Sequence, residues 1–320
     1  MIGGVRRVTC TSFGPLDELT IVEEPDPTPP DGSVVIEVGA AGANFVDSLI
    51  VQGRYQIKPP LPFTPGMEVA GTDPATGERL LALCWFGGYA SHVVVPRVVA
   101  FPVPDGVTVG RAATLVQSYG TARYALTRRT RVEPGEWVAV LGAGGGVGLA
   151  AVDVAKSLGA RVVACASSPD KLRTARDAGA DATIAYEDDG VDLKLAIREA
   201  TGGGADVVVD PVGGAKAEPA LRALRWGGRY LVIGFAGGAI PSLPANQVLL
   251  NSRTVVGVDW GAWTGRDAAG NAALVAEILA DVAAGRLHPV EPATYPLDDV
   301  ARCLADLESR RIVGKAVLLP

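Results

Sequence analysis

Five glycines fall in the seven positions from Gly142 to Gly148, within the stretch WVAVLGAGGGVGLAAVDVAKSLGARVVACASS that runs from Trp137 to Ser168. A backbone without Cβ atoms can turn tightly and come into contact with a pyrophosphate. The spacing G-x-G-x-x-G fails here, because position 147 is Val147; the pattern that fits is Gly142-x-x-Gly145-x-x-Gly148. Free N–H groups at the start of a following helix would favour an anion. Gly142, Gly144, Gly145, Gly146 and Val147 are therefore expected to hold a dinucleotide, the competing role being a loop that only packs a helix on a sheet. An NAD site usually ends its second strand with an acidic residue for the ribose 2′-OH. This chain has Ala166-Ser167-Ser168 there, with Lys171 just beyond. Two hydroxyls and a cation suit a 2′-phosphate, so the expectation is NADPH. Asp170 is expected to open the next helix, and the rival reading of Lys171 is a solvated helix residue.

The elements that must position this loop are legible on either side. Trp137–Leu141 is an apolar run of strand length, Leu149–Leu158 has helical spacing and stops at Gly159, and Arg161–Ala166 is the next strand. Strand and helix signals then alternate. Strands are expected at Asp181–Ala185, Ala205–Asp210, Gly228–Ile233 and Thr254–Trp260, and helices at Val191–Thr201, Lys216–Leu224 and Ala272–Ala284. That alternation argues an α/β parallel sheet with right-handed crossovers. Residues 1 to about 115 instead carry many short strands between Gly and Pro turns: Arg6–Thr11, Leu19–Glu23, Val34–Val38, Leu80–Cys84 and Ala90–Val95. After Gly39, residues 40–55 are expected to form a turn and a short helix. The pattern suggests a compact β-barrel. The tail turns β-like again at Ala293–Pro296 and Ala316–Leu319, and is placed back on the first domain.

At 320 residues, 48% hydrophobic and 20% charged, the chain can bury two cores. Its net charge of −6, with no Lys/Arg run, argues against nucleic acid. No apolar segment is long enough to span a bilayer, and the first residues lack a signal-peptide core, so the expected location is cytoplasmic. Cys10, Cys84, Cys165 and Cys303 form no C-x-x-C pair, and His92 and His288 have no ligand partner at helical spacing. A zinc site is poorly supported.

Further segments carry a resemblance: GAAGANFVD from Gly39, Gly53-Arg54-Tyr55, PGMEVAG from Pro65, Asp210-Pro211-Val212-Gly213-Gly214, Gly234-Phe235-Ala236 and Gly314-Lys315. With the glycine loop, they make the whole chain resemble the zinc-independent quinone oxidoreductases, of the zeta-crystallin and bacterial NADPH:quinone reductase types, in the medium-chain dehydrogenase/reductase superfamily. The resemblance implies a GroES-like β-barrel domain over 1–118 and 288–320 and a Rossmann doubly wound domain over 119–287. Zinc-dependent cousins place a Cys in the first motif, a His before the Glu of the third, and a Cys or Asp before the long helix. Here those places read Asn44-Phe45-Val46-Asp47, Met67 and about Gln117. The resemblance therefore implies a metal-free site.

Without a metal, a reduced nicotinamide delivers hydride and a quinone or enone accepts it, its own carbonyl taking up the developing charge. Asn44 and Tyr55 are the expected neutral donors. Asp47 either orients a polar network or caps a turn, and Glu68 is expected in an internal ion pair or hydrogen bond. Gln117, Thr121, Tyr186, Gly234, Phe235, Ala236 and Lys315 resemble cofactor contacts. Packing competes for Tyr186 and for Tyr124, and a surface role for Lys315. Phe45, Leu49, Trp260 and Trp263 are candidate pocket walls, with core or dimer interface as the alternative for one of the tryptophans. A homodimer through the edge strand near Thr254–Trp260 is expected. The competing activities are an enoyl-thioester reductase and a non-catalytic NADPH-binding structural or RNA-associated protein.

Overall fold

The structure, a computed structural model, describes residues 4–320. The chain divides into two compact units. One runs up to Gln117 and resumes at Val290–Pro320; the other is Ser118–Pro289.

The first unit is built on the long strand Ser33–Ala43. Its first half pairs with His92–Pro96, and its second half pairs with Glu68–Thr72 on one side and Ala316–Leu319 on the other. Ala293–Pro296, Arg79–Leu83 and Ala100–Pro102 extend the sheet, and a hairpin of Val5–Thr9 with Thr20–Glu24 joins it through Arg7 and Ala90. Ile36, Val69, Leu80, Tyr89, Leu304 and Leu318 are among the residues of the core this GroES-like sheet encloses. The sequence reading ended the strand at Val38, just before Gly39. The structure carries it on to Ala43, because Gly39 sits at a register shift rather than a stop. Gly71 makes the shift possible: a Cβ there would lie 1.9 Å from the Glu37 carbonyl oxygen. The short helix expected within 40–55 is Phe45–Val51.

The second unit is a six-stranded, all-parallel sheet. Its order is Ala182–Ala185, Arg161–Ala166, Trp137–Leu141, Ala205–Asp210, Leu224–Val232, Thr254–Gly257. Val138 to Leu141 and Val162 to Cys165 are fully buried, as unbroken apolar strands covered on both faces must be. The order runs outward in both directions from Trp137–Leu141, which puts the ligand crevice of such a sheet at the carboxyl end of that strand. The first crossover helix is Gly146–Ser157, so it begins inside the glycine run and not at Leu149. On it, buried Asp153 accepts the Tyr119 hydroxyl at 2.8 Å and the His288 backbone N–H at 2.7 Å.

Two further expectations at the end of this unit are corrected. The last strand stops at Gly257, and Trp260 opens a helix, Trp260–Arg266, because the Asp259 carboxylate accepts the Ala262 N–H at 2.9 Å and caps it. The long helix starts at Ala268, four residues earlier than read, because Asp267 caps it through the Gly270 N–H. No helix among the described residues is long and apolar enough to cross a membrane.

Candidate functional site

In the parallel-sheet unit the site is made mostly of backbone. Gly142 leaves the first strand at φ +58°, and Gly145 is extended and heads the helix with no side-chain cap. The N–H groups of Gly146, Val147 and Gly148 have no intrahelical acceptor, as in any first turn, so they form a ready anion site. Close packing holds the loop: a Cβ on Gly148 would come within 2.2 Å of the Gly142 carbonyl oxygen. The Ala143 N–H reaches the Cys165 carbonyl at 3.0 Å, tying the loop to the second strand.

Lys171 lies across this arrangement. Its stem covers Gly144, where a Cβ would meet the Lys171 Cβ at 2.4 Å, and its ammonium donates to Ser167 Oγ at 3.3 Å. Ser168 is the N-cap residue of the Pro169–Asp177 helix. Asp170 stands in that helix's first turn, as read, and pairs with Arg173 at 2.9 Å. The end of the second strand therefore presents a cation and two hydroxyls.

The Ala205–Asp210 strand, on the other side of Trp137–Leu141 in the sheet, ends on buried Asp210. Its carboxylate accepts the Val212 and Gly213 N–H groups at 2.8 Å each and takes the Tyr230 hydroxyl. The turn this shapes lies beside the following loop, where Ala236 N–H donates to Pro211 O and Gly237 N–H to Val212 O. A Cβ on Gly213 would touch Phe235 at 2.9 Å, and one on Gly142 would touch Val212 at 2.8 Å. Gly142, Val212 and Gly234-Phe235-Ala236 thus converge at the carboxyl end of the sheet.

For several residues of this unit the packing role weighed as the alternative is what the structure shows. Trp260 is buried in the core, with its ring against Gly120 and its indole N–H on Asn271 Oδ1 at 3.2 Å, so it lines no pocket. Trp263 stacks on Tyr124 with ring centroids 4.6 Å apart, which accounts for that tyrosine by packing. Tyr186 is buried in the core, and Lys216 sits 4.9 Å over its ring and donates to its carbonyl at 2.9 Å. The sequence reading missed Lys216; it stands two residues past the Gly213-Gly214 pair that was noticed. Thr121 is buried in the Leu115–Arg123 helix.

In the barrel unit the candidate residues form an interlocked set of side chains. Glu68 is fully buried. Its carboxylate takes the Lys315 ammonium at 2.9 Å, the Asn44 amide at 3.2 Å and the Gln117 backbone N–H at 2.9 Å. Lys315 also donates to Asn44 Oδ1, and the second Asn44 amide proton goes to the Gly42 carbonyl at 3.3 Å. The surface role weighed for Lys315 is thereby corrected: its side chain is only 11% exposed and its ammonium pairs with Glu68. Asn44 is corrected too, since neither amide proton is left for a substrate carbonyl. Its helix-start N–H donates to Asp47 Oδ2 at 2.9 Å, and the Tyr89 hydroxyl reaches the same oxygen at 2.7 Å.

Among the described residues no cation is bonded to Asp47. Burial pushes its carboxyl up to about 6, against the lowering pull of the Tyr89 and Asn44 donors and of the Lys315 charge. The same surroundings hold the Tyr89 phenol well above its ordinary value. Nothing in the local sequence around Tyr89 marked it out. Phe45 and Leu49, four apart on the Phe45–Val51 helix, share a face and are half-buried. Tyr55 is half-buried in the loop that follows Gly53.

A chain that carries a GroES-like barrel unit and a doubly wound parallel-sheet unit with a glycine loop at its switch point has the make-up of a medium-chain dehydrogenase/reductase. The family profile described as "Alcohol dehydrogenase GroES-like domain" matches residues 30–83, and that described as "Zinc-binding dehydrogenase" matches residues 146–277. Quinone oxidoreductase-like protein 2 of Rattus norvegicus is 37% identical over 98% of this chain and 91% of its own length. Quinone oxidoreductase of Escherichia coli, solved with NADPH, superposes with a TM-score of 0.88 at 28% identity, covering 98% of this chain and all of that one. A mycobacterial protein solved with NADPH superposes with a TM-score of 0.90 at 30% identity, over 99% of this chain and all of that one. The chain belongs to the quinone oxidoreductase family of that superfamily.

The word zinc in the second profile's description does not fit the residues present. Among the described residues no group of three or more His, Cys, Asp or Glu could hold a metal ion. Met67, which offers only a thioether, precedes Glu68 in the chain, and the Lys315 ammonium pairs with the Glu68 carboxylate. A divalent cation there would face a fixed positive charge and an amide already engaged.

Proposed function

We propose that the chain is an NADPH-dependent reductase of quinones or α,β-unsaturated carbonyl compounds that works without a metal. The observation that carries the coenzyme reading is Lys171, laid over Gly144 with its ammonium on Ser167 beside an uncapped helix start. The backbone N–H groups of Gly146 and Val147 would take the pyrophosphate, and Lys171, Ser167 and Ser168 the 2′-phosphate. Gly234, Phe235 and Ala236 would border the nicotinamide. When bound, the coenzyme supplies the hydride.

The barrel residues act by support. Lys315 neutralises Glu68, and Glu68 fixes the Asn44 amide and the Gln117 backbone. Asp47 holds the start of the helix that carries Phe45 and Leu49. Tyr55, half-buried in the loop after Gly53, is the candidate donor to the acceptor carbonyl. The names of the relatives favour quinones, and the donor set around Glu68 supports the metal-free reading. The Thr254–Gly257 strand has one strand neighbour among the described residues, and Trp226, Leu249 and Val255 nearby are exposed, which supports a dimer through that edge.

The test is oxidation of NADPH and of NADH against a panel of quinones and enones, with and without chelator. NADPH is expected to be preferred, with no effect of chelator. Lys171→Ala should raise the KM for NADPH about tenfold and leave that for NADH unchanged, the worth of one charge-assisted contact. Equal loss with both coenzymes would sink the assignment of Lys171. Activity only with enoyl thioesters would replace the substrate class.

A further inference from the structure

Trp85 adopts φ +62°, a left-handed conformation that is strained for any residue with a Cβ and most of all for a bulky one. It is the centre of a three-residue turn closed by the Phe86 N–H on the Cys84 carbonyl at 2.7 Å, a turn that is rare with positive φ. Glycine is the residue for such a place, and Gly87 and Gly88 follow only two and three positions on. A tryptophan in that place carries a backbone cost that glycine would not, which directs attention to its ring.

The turn is held on all sides. Cys84 N–H donates to Met67 O at 2.8 Å, Gly87 N–H to Thr64 O at 2.8 Å and Gly88 N–H to Gly66 O at 3.1 Å. Leu83, two residues before Trp85, is the cross-strand partner of Glu68, so the turn emerges beside the Asn44–Glu68–Lys315 set. On its other side a row of rings runs away from it. Phe86 meets Phe63 edge to face at 5.7 Å, and Phe63 meets Phe13 at 6.2 Å. Phe13 packs on Gly53, where a Cβ would lie 3.0 Å away, two residues before Tyr55. The strained turn and the Tyr55 loop are thus braced against each other through three aromatic side chains.

We propose that Trp85 is a specificity-determining residue, a half-buried stacking wall that selects flat, fused-ring acceptors over single-ring ones. The proposal rests on the reductase reading above. Stacking gains with the overlapping ring area, so the advantage falls to fused-ring quinones.

The experiment compares wild type, Trp85→Gly and Trp85→Phe with NADPH and two acceptors, phenanthrenequinone and p-benzoquinone, together with thermal unfolding. In Trp85→Gly the strain is relieved, so Tm should equal or exceed that of wild type. Its KM for phenanthrenequinone should rise about five- to tenfold, that for p-benzoquinone should stay within about twofold, and that for NADPH should not change. Trp85→Phe should restore most of the fused-ring affinity. Equal KM values for Trp85→Gly and wild type, or equal rises for both quinones, would overturn the assignment and leave the reductase intact. A lowered Tm with no selective change would show that the ring only fills the loop. A wild type that reduces neither quinone would remove the reading beneath the proposal, and the proposal with it.

Discussion

Around Gly142–Gly148 the contacts come from backbone N–H groups and absent Cβ atoms, all within seven consecutive positions. Around Glu68 they come from side chains, and the Lys315–Asn44 contact closes over 271 positions of sequence. The two regions are vulnerable in opposite ways. The loop fails when an atom is added, and the barrel set fails when a charge is taken away.

The largest effect is expected from the barrel. Lys315→Met leaves the buried Glu68 carboxylate without its cation and should cost about 3–5 kcal/mol of stability, the usual result of breaking a buried pair. Adding Glu68→Gln to it should recover much of the loss, as chemical denaturation would show. If the single variant unfolds like wild type, the set is not held by charge and the contrast with the loop disappears.

Asp47 sharpens the comparison through pH. Its folded value of about 6 lies above the ordinary 3.8, so the folded chain binds that proton more tightly than the unfolded one. Its contribution to stability is therefore full below 3.8 and lost as pH rises through about 6. The loss amounts to about 3 kcal/mol, since each tenfold gain in proton affinity is worth about 1.4 kcal/mol. Asp47→Asn keeps an oxygen for Tyr89 and the Asn44 N–H but has no proton to lose. Denaturation of both proteins between about pH 4 and 7 should show the variant gaining on wild type. Parallel curves would mean that Asp47 carries no such penalty.

The smallest stability effect falls on the loop, but it separates fold from binding. Gly148→Ala places a methyl 2.2 Å from the Gly142 carbonyl and should cost about 2 kcal/mol as well as coenzyme affinity. A Cβ on Gly145 meets only that same oxygen at 3.5 Å. Gly145→Ala should stay within about 1 kcal/mol of wild type in stability. Its methyl still closes the approach to the helix start, so its NADPH Kd should rise about tenfold or more by fluorescence titration. Normal binding by the Gly145 variant would take the dinucleotide off this loop.

The same contrast decides what could be read before folding. The strand, glycine loop, helix and second strand follow one another, and each is marked by local spacing; a parallel sheet follows from that pattern. Glu68 was read as internally paired, yet its partner stands near the other end of the chain, and no spacing rule joins positions so far apart. Lys315 was assigned elsewhere for that reason. Tyr89 was missed because one tyrosine before a strand resembles any other. Gly39 misled because a bulge and a strand end carry the same residue. Trp260 was drawn into the last strand because Asp259, its helix cap, looks locally like one more polar position.

Asp153 has a consequence of another kind. One carboxylate receives Tyr119, the second residue of the Ser118–Pro289 unit, and His288, its last but one. The segment therefore starts and finishes at nearly the same point, pinned there by its own side chain. A module with its ends together can be lifted out on a short linker, or spliced into the loop of an unrelated host, without being pulled open. Expressed alone as residues 118–289, it is a natural starting piece for building coenzyme-dependent chimaeras.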